Sequence, residues 1–128
     1  MVLVDTSVWI FHSARAGFIE SHVAPEDVAT CLPVIQEVMQ GARDHELPAL
    51  QRTLMALPIL ESPLSREVVE HAVDIDRTGR GLGITIRSPF GCLIAACAIR
   101  NGVPLLHCNR DFAAIARFTR LQSRYVIP

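Results

Sequence analysis

Short apolar runs alternate along this chain with longer stretches in which apolar positions recur every three or four residues. The runs are VLVD at 2–5, VATC at 28–31, PILE at 58–61, VPLLH at 103–107 and RYVI at 124–127. Each is too short to be a helix of its own and reads as a strand. Between them the pattern predicts helices. Thr6 or Ser7 caps a short first helix that packs Val8, Trp9 and Ile10 inward. Residues 15–23 read as a second short helix. Pro33 suits the first position of a helix with Val34, Ile35, Val38 and Met39 on one face and Gly41 near its end. Further helices are expected over 45–56 and from Ser65 to about Thr78. Ser88–Pro89 starts a helix that runs to about Arg100 and stops at Asn101–Gly102. A last helix is expected from Asp111, as its N-cap, to Phe118. GRGLG at 79–83 lacks the GK[ST] ending of a phosphate-binding loop and reads as a flexible linker. Strands that are apolar throughout need cover on both faces. The alternation therefore implies an α/β fold, a parallel sheet between helical layers with right-handed crossovers.

Length and composition agree with one domain over residues 1–128. Half of the residues are hydrophobic and a fifth are charged, and a chain of this size buries about two thirds of its unfolded surface. Neither a disulfide nor a metal is needed for folding. The longest apolar run, Leu93 to Ile99, falls far below the roughly 18 residues of a membrane span. Asp5 interrupts the first apolar segment and no basic region precedes it, so a signal peptide is not expected and the chain is expected in the cytoplasm. Cys31, Cys92, Cys97 and Cys108 show no CxxC spacing and read as reduced, mostly buried thiols. A zinc site from His107, Cys108 and Cys31 lacks the usual ligand spacing.

The net charge of −1 conceals a split. Residues 1–76 carry four Arg and twelve acids, whereas 77–128 carry eight Arg and one acid, Asp111. This is either a chance asymmetry on solvated helices or an electropositive rim for phosphate.

In an open parallel sheet, ligands bind beyond the carboxyl ends of the strands. Asp5 ends the first strand, Asn109 and Asp111 follow the fourth, and Glu37 lies one turn into the helix after the second. Each alone has an ordinary explanation as a cap, a turn former or a helix-surface acid. Together they would repel unless a cation neutralised them. An all-oxygen donor set suits a hard ion, Mg²⁺ or Mn²⁺. Other strand-end acid sites fit poorly. Haloacid-dehalogenase-type phosphatases need an Asp where Ser7 stands, and both they and response-regulator receivers rely on a lysine, which this chain lacks. A serine hydrolase would need a G-x-S-x-G turn, also absent.

VLVDTSVWI, PVIQEV and IRSPFGCLIAACAIRNGVPLLHCNRDFAAIA together resemble PIN-domain ribonucleases, specifically the VapC-type toxins of bacterial toxin–antitoxin pairs. The resemblance spans essentially the whole chain. It implies a three-layer α/β/α PIN-like fold with a central, mostly parallel sheet of about five strands. It also implies divalent-metal-dependent cleavage of RNA phosphodiesters, a VapB-type antitoxin partner and a homodimer, with no membrane association. The family's first two acids fall on Asp5 and Glu37, its third on Gly91 and its fourth on Asn109, with Asp111 as a frequent extra acid. Two of the four acids are thus replaced, and the site carries two negative charges instead of four, or three if Asp111 contributes. On this reading Asp5, Glu37 and Asn109 hold Mg²⁺ or Mn²⁺ weakly, and Asp111 is a further ligand or a base. Thr6 or Ser7 orients water or an RNA phosphate, and Arg80, Arg87 and Arg110 meet the RNA backbone. The alternative is a catalytically impaired PIN domain that binds antitoxin or acts in regulation.

Overall fold

The computed structural model describes residues 1–128, apart from the side chain of Ala14. Five strands, β1 (Val2–Val4), β2 (Val28–Cys31), β3 (Ile59–Leu60), β4 (Leu105–His107) and β5 (Ser123–Tyr125), form one parallel sheet. Their order is β3-β2-β1-β4-β5. The helices are α1 (Thr6–Ala14), α2 (Leu32–Gly41), α3 (Leu47–Met55), α4 (Arg66–Gly81), α5 (Pro89–Asn101) and α6 (Arg110–Ala116).

Successive residues of a strand point to opposite faces. Every residue of β1, β2 and β4 is buried, so helices cover both faces of the sheet and the fold has three layers. One apolar core runs through it, with Leu3, Val4, Val8, Val34, Leu54, Val68, Ile94, Leu105 and Ile115 at its most enclosed positions. No helix is long and apolar enough to cross a membrane.

The chain builds β1, β2 and β3 outward in one direction, then returns to place β4 on the other side of β1. Strand order therefore reverses between β1 and β4. At such a switch point the connections leave in opposite directions and open a crevice beyond the strand ends. Leu3 pairs with Leu105 and Val4 with Leu106, so the residues that follow β1 and β4 emerge side by side at that crevice.

Local departures from the sequence pattern have clear causes. Neither Thr6 nor Ser7 caps α1; Asp5 does, and its carboxylate accepts from the Ser7 N–H. Asn109, not Asp111, caps α6, its side chain accepting from the Asp111 N–H. Residues 15–23 form consecutive turns instead of a helix. Gly17 has φ +79° there, which an α-helix cannot continue through; Phe18, Ile19 and Val23 are nonetheless buried. The stretch at 79–83 is not a free linker, because α4 continues through Gly81. Gly79 is needed for close packing: a Cβ there would lie 3.1 Å from Phe118 Cζ and 3.3 Å from the Ile84 carbonyl. Pro25–Asp27 adds a 3₁₀ turn before β2.

Burial of His107 at the end of β4 holds its ring neutral, pushing its pKa down from 6.5 to about 4. Above pH 6.5 neither the folded nor the unfolded chain protonates it. Between 6.5 and 4 the unfolded chain takes the proton and the folded chain refuses it, so stability falls as the pH falls. The urea midpoint should drop across this window, and the drop should be shallower in His107→Asn. Equal slopes for the two proteins would remove His107 from the cause.

Candidate active site

Four chain segments converge at the β1/β4 crevice on a cavity of about 140 Å³. Asp5, Thr6, Ser7, Glu37, Ser88, Gly91 and Asn109 line it, with Ile10, Ile94 and Phe112 as apolar walls. β1 delivers Asp5, α1 begins with Thr6 and Ser7, α2 carries Glu37, and the β4–α6 junction presents Asn109.

Asp5 is 4% exposed. Its Oδ2 accepts from the Ser7 N–H at 3.0 Å and from Ser7 Oγ at 2.5 Å. Ser7 Oγ in turn accepts from the Cys108 N–H at 3.0 Å. A single hydroxyl therefore ties the first strand end to the fourth. On the other side, Thr6 Oγ1 donates to Glu37 Oε1 at 2.8 Å, which turns that carboxylate toward the crevice. Ser7 engages Oδ2 of Asp5, and Thr6 engages Oε1 of Glu37.

Burial pushes the Asp5 pKa above the ordinary carboxylate value, and the negative charge of Glu37 adds to this; hydrogen bonds from Ser7 and Thr6 oppose it. The pair is thus electrostatically unfavourable without a counter-charge. Asn109 Oδ1 accepts from the Asp111 N–H at 2.9 Å, a cap contact that also fixes the amide at the cavity edge.

Gly91 is buried in the first turn of α5. A Cβ there would meet only Ile86 Cγ2 at 3.8 Å and Ser88 Cβ at 4.0 Å, both ordinary contacts. The backbone has room for a side chain at this position. Among the described residues, no three His, Cys, Asp or Glu side chains gather as a metal cluster. That leaves the two carboxylates as the cavity's only acids, and His107, Cys108 and Cys31 form no zinc site.

The remaining sequence candidates lie outside the cavity wall. Asp111 Oδ2 accepts from the Arg87 N–H at 3.1 Å and braces the segment before α5. Arg110 is exposed on the first turn of α6. Arg80 pairs with Asp76 at 2.7 Å. With Arg77 and Arg87 it borders a separate groove of about 430 Å³ between α4 and α5, floored by Val69, Ala72, Val73, Ile86, Cys92 and Leu93. Ser88 faces the cavity while Arg87 and Pro89 face the groove. Ser88 was legible in sequence only as a helix start, and the groove carried no sequence signal.

Comparison with known proteins places this geometry. Residues 2–118 match the PIN domain family model. The chain is 36% identical to a VapC ribonuclease of Mycobacterium bovis, covering 96% of this chain and 97% of that protein. Ribonuclease VapC11 of Mycobacterium tuberculosis matches with the same identity and coverage. This chain is a PIN-domain protein of the VapC family. The PIN fold is shared with VapBC of Salmonella typhimurium in a DNA-bound crystal structure, at TM-score 0.77 and 17% identity, covering 97% of this chain and 96% of that one. VapBC2 of Rickettsia felis, also bound to DNA, aligns at TM-score 0.73 and 16% identity over 99% and 100% of the two chains.

Two substitutions test the electrostatics of this PIN-domain cavity. Asp5→Asn keeps an acceptor for the Ser7 N–H and removes a disfavoured buried charge. In EDTA its thermal midpoint should equal or exceed that of the parent, and a clear loss would show that the Asp5 charge is stabilised instead. Ser7→Ala strands the Cys108 N–H and removes one donor to Asp5, and should cost about 1–3 kcal/mol in a denaturant titration.

Proposed function

We propose that residues 1–128 act as one domain, a cytoplasmic VapC-type endoribonuclease that cleaves RNA phosphodiesters with a divalent cation, Mg²⁺ or Mn²⁺. The observation that carries this reading is the meeting of Asp5 and Glu37 at the switch-point crevice, in a chain 36% identical to VapC ribonucleases. The donors are hard oxygens. Mg²⁺ commonly takes only one or two carboxylates and keeps several waters, so the pair fits such an ion. Asp5 and Glu37 would hold it, with the Asn109 oxygen as a weaker neutral ligand. When bound, the ion supplies Lewis acidity toward a phosphodiester and toward water.

The chain's own groups set the geometry for that chemistry. Ser7 locks the Asp5 rotamer, and Thr6 locks that of Glu37. Ile94 and Phe112, both buried, wall one side of the cavity against bulk water, which strengthens charge interactions beside them. Arg110, one residue past Asn109, is exposed and would meet phosphates, whereas Arg87 borders the α4–α5 groove. Arg80 is already paired and lies on the far groove. Asp111 acts by bracing Arg87, and a role as base would require it to leave that contact.

Gly91 and Asn109 favour a second reading, a catalytically impaired PIN domain that binds antitoxin. They remove two negative charges from the family's set, and losing one well-placed electrostatic group commonly costs on the order of 10²–10³ in rate. RNA cleavage with Mn²⁺ or Mg²⁺ separates the readings. The expected result is slow cleavage abolished by EDTA and by Asp5→Ala, and raised at least roughly 10²-fold by Gly91→Asp with Asn109→Asp. Inactivity of the parent with activity in the restored protein would establish the impaired form. Inactivity of both, with no uptake of cation, would remove the site assignment.

The partners in this proposal are RNA, a VapB-type antitoxin and a second copy of the chain. The solved VapBC assemblies that share the fold support an antitoxin partner. The surface of α4 supports self-association. Val69 and Val73 are about half exposed on it, and a two-fold pairing of α4 with its copy would cover both. Sedimentation should show a dimer, and Val69→Glu with Val73→Glu should give a folded monomer. A monomeric parent would remove this interface.

A further inference from the structure

His107 stands outside the cavity, and nothing in the proposed chemistry uses it. Its ring is fully buried and held from four sides. A backbone N–H can only donate, so the 3.2 Å contact from the Asn109 N–H makes Nδ1 an acceptor. The proton of the neutral ring then sits on Nε2, which donates to Ser123 Oγ at 2.5 Å. The ring also packs against Phe112 of α6, with centroids 5.2 Å apart, and against Tyr125 of β5, at 5.5 Å. Strand pairing holds its backbone, with the Val126 N–H donating to the His107 carbonyl at 2.9 Å.

These contacts converge on two peptide groups. Ser7 Oγ takes the Cys108 N–H, and His107 Nδ1 takes the Asn109 N–H. Between them they set the rotation of the chain as it leaves β4. The direction in which the residue 109 side chain departs follows from that rotation, and its oxygen is then fixed by the Asp111 N–H. We infer that His107 is a positioning residue: through Nδ1 it sets the backbone of residue 109, and so the place of that residue's oxygen in the cavity. Ser123 on the edge strand supports this role, because its hydroxyl accepts the Nε2 proton of the tautomer that leaves Nδ1 free to accept. The consequence for cation binding rests on the proposed function above; the contact itself does not.

Two substitutions separate the two ring nitrogens. Asn at 107 offers an oxygen to the N–H two residues on, the ordinary Asx turn, and gives up Ser123. Gln at 107 reaches toward Ser123 and lacks an acceptor at the Nδ1 position. The readouts are hydrogen exchange of the ¹⁵N-labelled Asn109 amide, Mn²⁺ binding by calorimetry, and the thermal midpoint. In His107→Gln the Asn109 amide should exchange roughly 10-fold faster or more, and Mn²⁺ affinity should fall about 10–100-fold. His107→Asn should stay near the parent in both readouts, although both variants melt earlier. Equal acceleration of exchange in the two variants, or Mn²⁺ affinity that only tracks the melting point, overturns the inference. Exchange that divides the variants as expected, while none of the three proteins takes up Mn²⁺, supports the positioning role and removes the cation reading instead.

Discussion

The carboxylate of Asp5 joins the scaffold to the site. It lies at the end of the central strand, caps α1, and through Ser7 Oγ reaches the Cys108 amide at the mouth of β4. Its own backbone N–H donates to the Leu106 carbonyl at 2.9 Å, continuing the β1/β4 ladder to its last possible rung. Removing this group from water is costly, and Glu37 nearby raises the cost. The fold accepts that cost because the apolar strands on either side of the crevice are buried regardless. Proteins concentrate such locally unfavourable arrangements where a ligand is to be met.

The same reasoning bears on Gly91 and Asn109. Four carboxylates in a cavity of about 140 Å³ would repel strongly whenever the cation was absent. A glycine and a carboxamide avoid that repulsion, and under the proposed function they would also weaken the attraction for a cation. The trade leaves the scaffold intact: Asn109 still caps α6, and Gly91 leaves space without disturbing α5. The crevice has the form of the PIN fold, and its wall carries two carboxylates, a glycine and a carboxamide.

Around this centre the polar contacts work as a linked set. Thr6 aims Glu37, Ser7 joins Asp5 to the β4 loop, His107 and Ser123 hold the same loop from the sheet's edge, and Asp111 braces the segment leading to α5. Thr6 and Ser7 reach other parts of the chain at Glu37 and Cys108, whereas Asp5 and Asn109 are held by neighbours two residues away. Linked contacts of this kind are what hold a constellation to within about half an ångström of a working geometry.

Strand and helix types were legible in the sequence because they follow from local periodicity. VLVD, VATC, PILE and VPLLH could be buried only as strands of a covered sheet, and Pro33, Pro89 and Gly102 mark helix ends wherever they occur. The two acids and the carboxamide near the strand ends were legible for the same reason: Asp5, Glu37 and Asn109 each follow a strand, and a parallel sheet brings such ends to one edge. Tertiary structure decided the rest. Gly79 reads as a linker until Phe118 is packed against it, and Gly17 turns a helical pattern into a run of turns. Thr6, Ser7 and Asp111 look like caps, yet the caps are Asp5 and Asn109, because those residues alone keep extended backbone at the helix start. The partners of Ser7 and His107 lie 101 and 16 residues away, and local pattern carries no information across such a gap. Composition and spacing could name the groups that carry charge. Only the assembled sheet determined which of them share a cavity and which are occupied elsewhere, since that depends on strand order and on contacts between segments distant in sequence.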